Sequence, residues 1–461
     1  MQALGFFARE SFILIVAWLA SIRYAVGRVR TLFIRDPRER ASAVAHLRGR
    51  VLRGVMETLG ATFIKLGQVM STRPDLFAPG VIEELKLLQD KLPAFPGARA
   101  IIERELGKPI DEVFSELEET PVAAASVAQV HRARLRPKEG EKEGLEVAIK
   151  VLRPDVRQKA ERDGRILVLF ATILERISGK ARHAELRAHT AELMRGILEQ
   201  TDLRTEAANY ARFRENFKRE RKVRFPRVIA ELSGERVMTM EFMRGEKVTP
   251  ALKARFPDLP ARLREVFLKM CFDDGFLHAD LHPGNFVVGA KGEIIIFDVG
   301  LAKGLSDELL EYYIDFNKCL VMGEVDDFMH HMRTYHRYVD GTVDWAELEK
   351  DVRMFADEFR SKSTKELEFG DLIDRVFATG RKHGVRPQPE MTLMMVGLVT
   401  AEGIGKQLDP EANSFQEVAN YLIPVLIRRN MMTPTVMAAA EAMAARQARE
   451  RGESPIEATA S

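Results

Sequence analysis

Asp280, Asn285 and Asp298 are the residues of this 461-residue chain whose types and spacing speak most directly of chemistry. They stand in His278-Ala279-Asp280-Leu281-His282-Pro283-Gly284-Asn285 and Ile296-Phe297-Asp298-Val299-Gly300. Asn285 follows Asp280 by five residues, and Asp298 follows Asn285 by thirteen. Kinase-type phosphoryl transfer needs such a set. One carboxylate, here Asp280, orients the attacking hydroxyl; an Asn and a second Asp, here Asn285 and Asp298, hold the Mg2+ that neutralises the phosphates of ATP. The apolar run Glu293 to Phe297 predicts a strand that delivers Asp298 on one side of a hairpin.

The nucleotide side should lie upstream. Val147-Ala148-Ile149-Lys150 predicts a strand ending in the Lys that holds the α- and β-phosphates. A second strand, Ala128 to Leu135, precedes it across the charged turn Lys138 to Gly144. Lys150 needs a carboxylate to fix it, and Glu206, on a downstream helical segment, is the candidate. Met240-Glu241-Phe242 predicts the hinge strand, with the backbone of Glu241 and Met243 as the adenine contacts. The loop over the phosphates is unusual: it reads Ala123-Ala124-Ala125-Ser126-Val127, and no Gly occurs from Val122 to Glu139. Alanine disfavours positive φ, so this loop is predicted to be stiffer than a Gly-rich one and compatible with helix. Ser126 offers a hydroxyl to a phosphate or metal. Further upstream, Lys65 and Gln68 are three apart and share a helix face; composition alone reads them as a solvated face.

Taken together, Lys65-Leu66-Gly67-Gln68, the Ala-rich loop, Val-Ala-Ile-Lys, Asp202 to Asn209, Met240 to Gly245 and the Asp280 and Asp298 motifs resemble the UbiB (AarF/ADCK) family of atypical kinases, over roughly residues 50 to 410. The resemblance implies an α+β, protein-kinase-like two-lobed fold with an added N-terminal helical region and a mostly helical large lobe. It implies ATP and Mg2+ as cofactors, ATPase-type activity, membrane association, and support of ubiquinone or other isoprenoid-lipid metabolism, with quinone-precursor lipids and quinone-biosynthesis enzymes as partners. Lys65, Gln68 and Asp202 then belong to a cover over the active site, Lys150 pairs with Glu206, and Asn285 and Asp298 bind metal. In one respect the chain departs from the family: Gln200-Thr201-Asp202 stands where relatives carry Glu-x-Asp. A neutral Gln200 removes a carboxylate that would face Lys65, so a weakened cover contact is expected.

Two other readings remain at this level, a small-molecule kinase of the aminoglycoside or choline type and a non-enzymatic, nucleotide-gated lipid-binding scaffold. Ala279 stands where protein kinases carry Arg, and only Leu301 to Leu305 separate Gly300 from a helix predicted over Glu308 to Val321, capped at Ser306. No activation segment is present to hold a peptide, which disfavours protein substrates.

Composition fits an ordinary globular protein at 46% hydrophobic and 30% charged residues, and a net charge of +2 implies no nucleic-acid partner. Two cysteines, Cys271 and Cys319, leave no disulfide framework and read as buried thiols. His278 and His282 read as structural supports. Residues 1 to 53 carry ten Arg against three acidic residues. They include the run Ser11 to Ile22, twelve uncharged residues, short of the ~20 that span a bilayer. Arg9-Glu10 makes a poor signal n-region, so residues 11–22 are expected to anchor the chain peripherally on the cytoplasmic face of a membrane. The organisation predicted is a basic and apolar segment (1–50), the Lys-x-Gly-Gln cover (51–118), a small lobe (119–245), a large lobe (246–427) and a Met/Ala-rich helix with a disordered tail (428–461). No transmembrane run is predicted after residue 410.

Overall fold

The computed structural model describes residues 2–71, 77–88, 93–140, 142–177, 186–279, 281, 284–335, 337–338, 343–361, 369–409 and 414–451. Asp280, His282 and the tail after residue 451 lie outside the described residues. The chain divides into two compact units, residues 1–246 with 285–301, and residues 247–284 with 302–461.

The first unit opens with helices. The predicted apolar run is the middle of a much longer helix, α1 (Gln2–Thr31). Its stretch Arg9–Thr31, of mean hydropathy 1.6, is long and apolar enough to cross a membrane by length and composition. Arg23, which bounded the run, does not interrupt the backbone, because an arginine has good helix propensity. Next, α2 (Pro37–Leu59) starts at Asp36, whose carboxylate accepts the Arg38 and Glu39 N–H groups, with Pro37 in the first turn. Gly60 stops it at φ +91°, a conformation side-chain-bearing residues resist, and its N–H closes on the Met56 carbonyl.

Helix α3 (Ala61–Ser71) follows and carries Lys65 and Gln68. It is not the solvated face that composition alone suggests, for Phe63, Ile64, Leu66 and Met70 are all buried. Gly67 lets α3 approach its neighbours: a Cβ there would lie 2.4 Å from Met56 Sδ and 2.2 Å from Leu88 Cδ1. The helices α4 (Pro79–Leu85), α5 (Ala98–Leu106) and the single turn α6 (Ile110–Val113) lead into the sheet.

That sheet has five strands: β1 (Phe114–Leu117), β2 (Ala123–Ala124), β3 (Ala128–Leu135), β4 (Glu146–Leu152) and β6 (Val237–Glu241), in the order β1-β3-β4-β6 with β2 also on β3. Both predicted hairpin strands are present, in antiparallel register with Val130 opposite Lys150. Strand periodicity sorts β4. Val147, Ile149 and Val151 are buried in a core with Ile102 of α5, while Ala148 and Lys150 point to the other face. Two long helices, α7 (Val156–Ile177) and α8 (Leu186–Glu199), pack together and join α1, α2 and α3 in a second core built on Ile13, Met56, Phe63, Ile166 and Ile197. Then come α9 (Leu203–Asn216) and three strands of a small four-stranded sheet, β5 (Val223–Arg224), β7 (Phe286–Val288) and β8 (Ile294–Ile296), in which β8 lies between the other two.

In the second unit the strand Phe276–His278 pairs antiparallel with Ala302–Gly304, and helices make up most of the rest. The predicted helix spans Asp307–Met322, with Ser306 Oγ accepting the Leu309 N–H at its start. Among its buried side chains, Lys318 is held by Asp315 at 3.0 Å, Glu324 at 3.3 Å and Asp327 at 2.5 Å. Cys271 and Cys319 are buried free thiols.

Candidate active site

Lys150 is where the sequence candidates meet. Its ammonium lies 2.8 Å from both carboxylate oxygens of Glu206 and 2.9 Å from Asp298 Oδ1. Three elements bring these groups together. The β4 pleat turns Lys150 away from the Val147–Ile149–Val151 core. Helix α9 presents Glu206 one turn after its cap, where Asp202 accepts the Arg204 N–H at 3.0 Å. The β7–β8 hairpin presents Asp298, which sits at φ +51°.

Burial opposes the charge on Lys150, but the carboxylates of Asp298 and Glu206 outweigh it and hold the ammonium's pKa above its ordinary range. The lysine is 12% exposed and Glu206 7%, so this ion pair is a desolvated one, whereas Asp298 is 53% exposed.

Hairpin register explains why Asn285 and Asp298 belong together. Phe286 pairs with Ile296, and the Phe297 N–H donates to the Asn285 carbonyl at 2.7 Å. Both polar residues therefore lie at the same end of the hairpin. Within the first unit the hairpin is tied to α9 by two contacts: Tyr210 Oη accepts the Asp298 N–H at 3.0 Å, and Asn209 Nδ2 donates to the Val299 carbonyl at 2.9 Å. Tyr210 carries no motif that marks it, yet it lies four residues after Glu206 on one helix and so shares its face.

The Ala-rich loop is not helical. Ala123 and Ala124 pair with Val130 and Gln129, and the Ala125 N–H reaches the Ala128 carbonyl at 2.8 Å. Arg153, which follows β4, pins the turn by donating from Nε to the Ala125 carbonyl at 2.9 Å. The loop is thus held in extended form by backbone pairing, where the alanines had been compatible with helix. Ser126 is fully buried beside Val127 at this turn.

The cover residues divide. Lys65 is buried at 8% exposure; burial holds the Glu206 pKa above its ordinary carboxylate value, and the Lys65 charge, like that of Lys150, works against that rise. Gln68 Oε1 is buried beside Lys65 without a hydrogen-bond partner among the described residues. Gln200, just past α8, turns its amide back to the Gly196 carbonyl at 3.3 Å. Asp202 serves as the α9 cap and pairs with Arg204 at 2.7 Å. In the segment predicted as the hinge, the Glu241 N–H donates to the Arg227 carbonyl at 2.9 Å and the Phe242 N–H to the Glu146 carbonyl at 3.1 Å, and Met243 is the second residue after the strand.

A lysine tied to a helix carboxylate on a five-stranded sheet, with an Asn and Asp hairpin beside it, marks the chain as an atypical kinase-like protein. Residues 87–332 match the ABC1 atypical kinase-like domain, and residues 352–413 match the UbiB helical domain. The chain belongs to this ABC1/UbiB family. A solved structure from Mycobacterium tuberculosis, the complex of Rv3197 with erythromycin, is similar at 23% identity and a TM-score of 0.49, covering 74% of this chain and 87% of that one.

Proposed function

We propose that this protein binds Mg-ATP at the Lys150–Glu206–Asp298 centre and either hydrolyses it or passes its γ-phosphoryl group to a lipid or small acceptor at a membrane surface. The observation that carries the reading is the bidentate contact of Lys150 with Glu206 at 2.8 Å, which fixes a cation where kinases meet the α- and β-phosphates. One carboxylate and one amide, Asp298 and Asn285, form the sparse donor set that Mg2+ uses when substrate phosphates complete its shell. Bound there, the metal would neutralise charge on the phosphates. Glu206 would keep Lys150 oriented, Tyr210 would hold the Asp298 backbone, and the Glu241–Met243 segment would meet the adenine. Asp280 would orient the acceptor hydroxyl or water.

The acceptor class follows from what succeeds the hairpin. Ala302–Gly304 is already paired as a strand, and the next helix starts at Asp307, which leaves no segment to bind an extended peptide. Membrane association rests on α1, whose Trp18 is 64% exposed amid bare Phe12, Ile15, Leu19 and Ile22. Support of isoprenoid-quinone metabolism is the corresponding reading of the family.

The test is ATP hydrolysis by the purified chain with and without anionic vesicles and quinone-precursor lipids. Magnesium-dependent turnover that vesicles raise and Lys150→Ala abolishes is the expected result. Turnover that survives in Lys150→Ala would overturn the assignment. A nucleotide-gated scaffold is the second reading, favoured by the Lys150–Asp298 pair at 2.9 Å, which engages the metal ligand with the lysine; it requires nucleotide binding without turnover.

A further inference from the structure

From one turn after the start of α7, an open trough of about 710 Å³ runs between α7 and α8, within the roughly 300–1,000 Å³ range of small-molecule sites. Apolar groups line it, chiefly Ala160, Gly164, Val168 and Leu169 of α7 with Met194 and Leu198 of α8. Its lips carry charge. Arg165 stands on α7 and Arg195 on α8, and neither has a hydrogen bond or carboxylate partner among the described residues. The one acidic residue on the rim, Glu161, is already paired with Arg157 at 3.3 Å. The trough is therefore apolar within and cationic at both edges. Beyond it the end of α7 is bare, with Ile173, Leu174 and Ile177 exposed at 44%, 45% and 76%. These residues leave a large apolar area in water, which is costly unless something covers it.

We propose that this trough holds one hydrocarbon chain of an anionic phospholipid, with Arg165 and Arg195 flanking the headgroup phosphate and the bare end of α7 resting on the bilayer. Charge complementarity selects an anion, since both guanidinium groups are uncommitted and suit phosphate geometry. α7 and α8 already touch at Gly164, where a Cβ would lie 3.0 Å from Met194 Cε. The trough is thus a crease along two packed helices, and it runs on into the bare apolar end of α7. The choice of a phospholipid rests on the membrane-surface reading above, but the site is separate from α1 and from the nucleotide centre.

The experiment uses the full chain and phosphatidylglycerol carrying a mid-chain diazirine, diluted into phosphatidylglycerol vesicles, with phosphatidylcholine as the comparison. Light should place label on α7 and α8 peptides. Val168→Trp, which fills the trough, should cut that label at least ten-fold while vesicle flotation persists through α1. The exposed pair Arg165→Gln/Arg195→Gln, which spares folding, should remove the preference for phosphatidylglycerol. Label confined to α1, equal label with phosphatidylcholine, or undiminished label in both variants would each overturn the proposal. Uptake of an acidic amphipathic peptide instead of lipid would overturn it in favour of a protein partner. If the chain fails to float at all, the membrane reading fails. The trough is then tested with dioctanoyl phosphatidylglycerol carrying the same diazirine, below its micelle concentration; labelling keeps the proposal and its absence ends it.

Discussion

Lys150 shows how a single buried charge organises a site. Each of its two carboxylate partners arrives on a different element, and removal of one leaves the ammonium partly unpaired in a place water barely reaches. Glu206→Gln is therefore expected to cost about 3–5 kcal/mol of stability, as breaking a buried pair does, and to weaken nucleotide binding at least ten-fold. Denaturant unfolding and nucleotide titration check the two effects. Because Lys150 has its pKa raised in the folded state, its contribution is fully present below its unfolded value, about 10.4, and is lost only as pH rises through the higher folded value. The stability gap between wild type and Glu206→Gln should then persist undiminished up to about pH 10. Asp298→Asn tests a different property. The variant keeps an oxygen near Lys150 but loses the charged metal ligand, so the stabilisation that ATP gives should no longer depend on magnesium in a thermal melt. Retained magnesium dependence would remove Asp298 from the metal site.

At the scale of elements, two helices set the geometry around Glu206. Helix α3 approaches α2 closely because position 67 has no side chain. Gly67→Ala forces Met56 and Leu88 to move, with an expected loss of about 1–3 kcal/mol, and displaces Lys65 with its helix. Circular dichroism melts measure the loss, and a fully wild-type melt would show that the two side chains yield freely. Helix α9 depends on its cap. Asp202→Ala should cost about 0.5–2 kcal/mol. Hydrogen bonds from Arg204 are the leading cause that holds the Asp202 pKa below the ordinary carboxylate value, even against burial. Its contribution is thus present above about pH 4 and lost as pH falls through the lower folded value. The gap between wild type and Asp202→Ala should shrink in acid.

For the molecule as a whole, a net charge of +2 conceals a basic N-terminal region with ten Arg in residues 1 to 53. Helix α1 has a double character. Ile13 and Val16 are part of a core shared with α3 and α7, and Arg9 holds Asp163 at 3.0 Å, while the opposite face is bare. Ile13→Ala should therefore destabilise the fold by about 2–5 kcal/mol. Replacing Phe12, Ile15, Trp18 and Leu19 by Ser should leave the melt nearly unchanged and reduce flotation with anionic vesicles. Salt should weaken the flotation of the wild type through the Arg-rich flank. Equal flotation of wild type and the four-Ser variant would show that this face does not meet lipid.

Local chemistry in the sequence was enough to determine the β3–β4 strand pair, the Ser306 cap, the Asn285–Asp298 hairpin and the family. Each is written within a few neighbouring residues, by period-two burial, a capping hydroxyl or a motif at fixed spacing. Other features depend on residues far apart in the chain, and only the tertiary structure decided them. Composition could not tell whether Lys65 faced water, because its burial depends on what the fold packs around α3. The Ala-rich loop became extended because β3 offered it a pairing edge and Arg153 took the Ala125 carbonyl. The apolar run proved to be one part of a 30-residue helix, since nothing near Arg23 breaks the backbone. Tyr210 and the α7–α8 trough gave no sequence signal of their own: the first acts through a backbone N–H brought from Asp298, and the second exists only where two helices lie side by side.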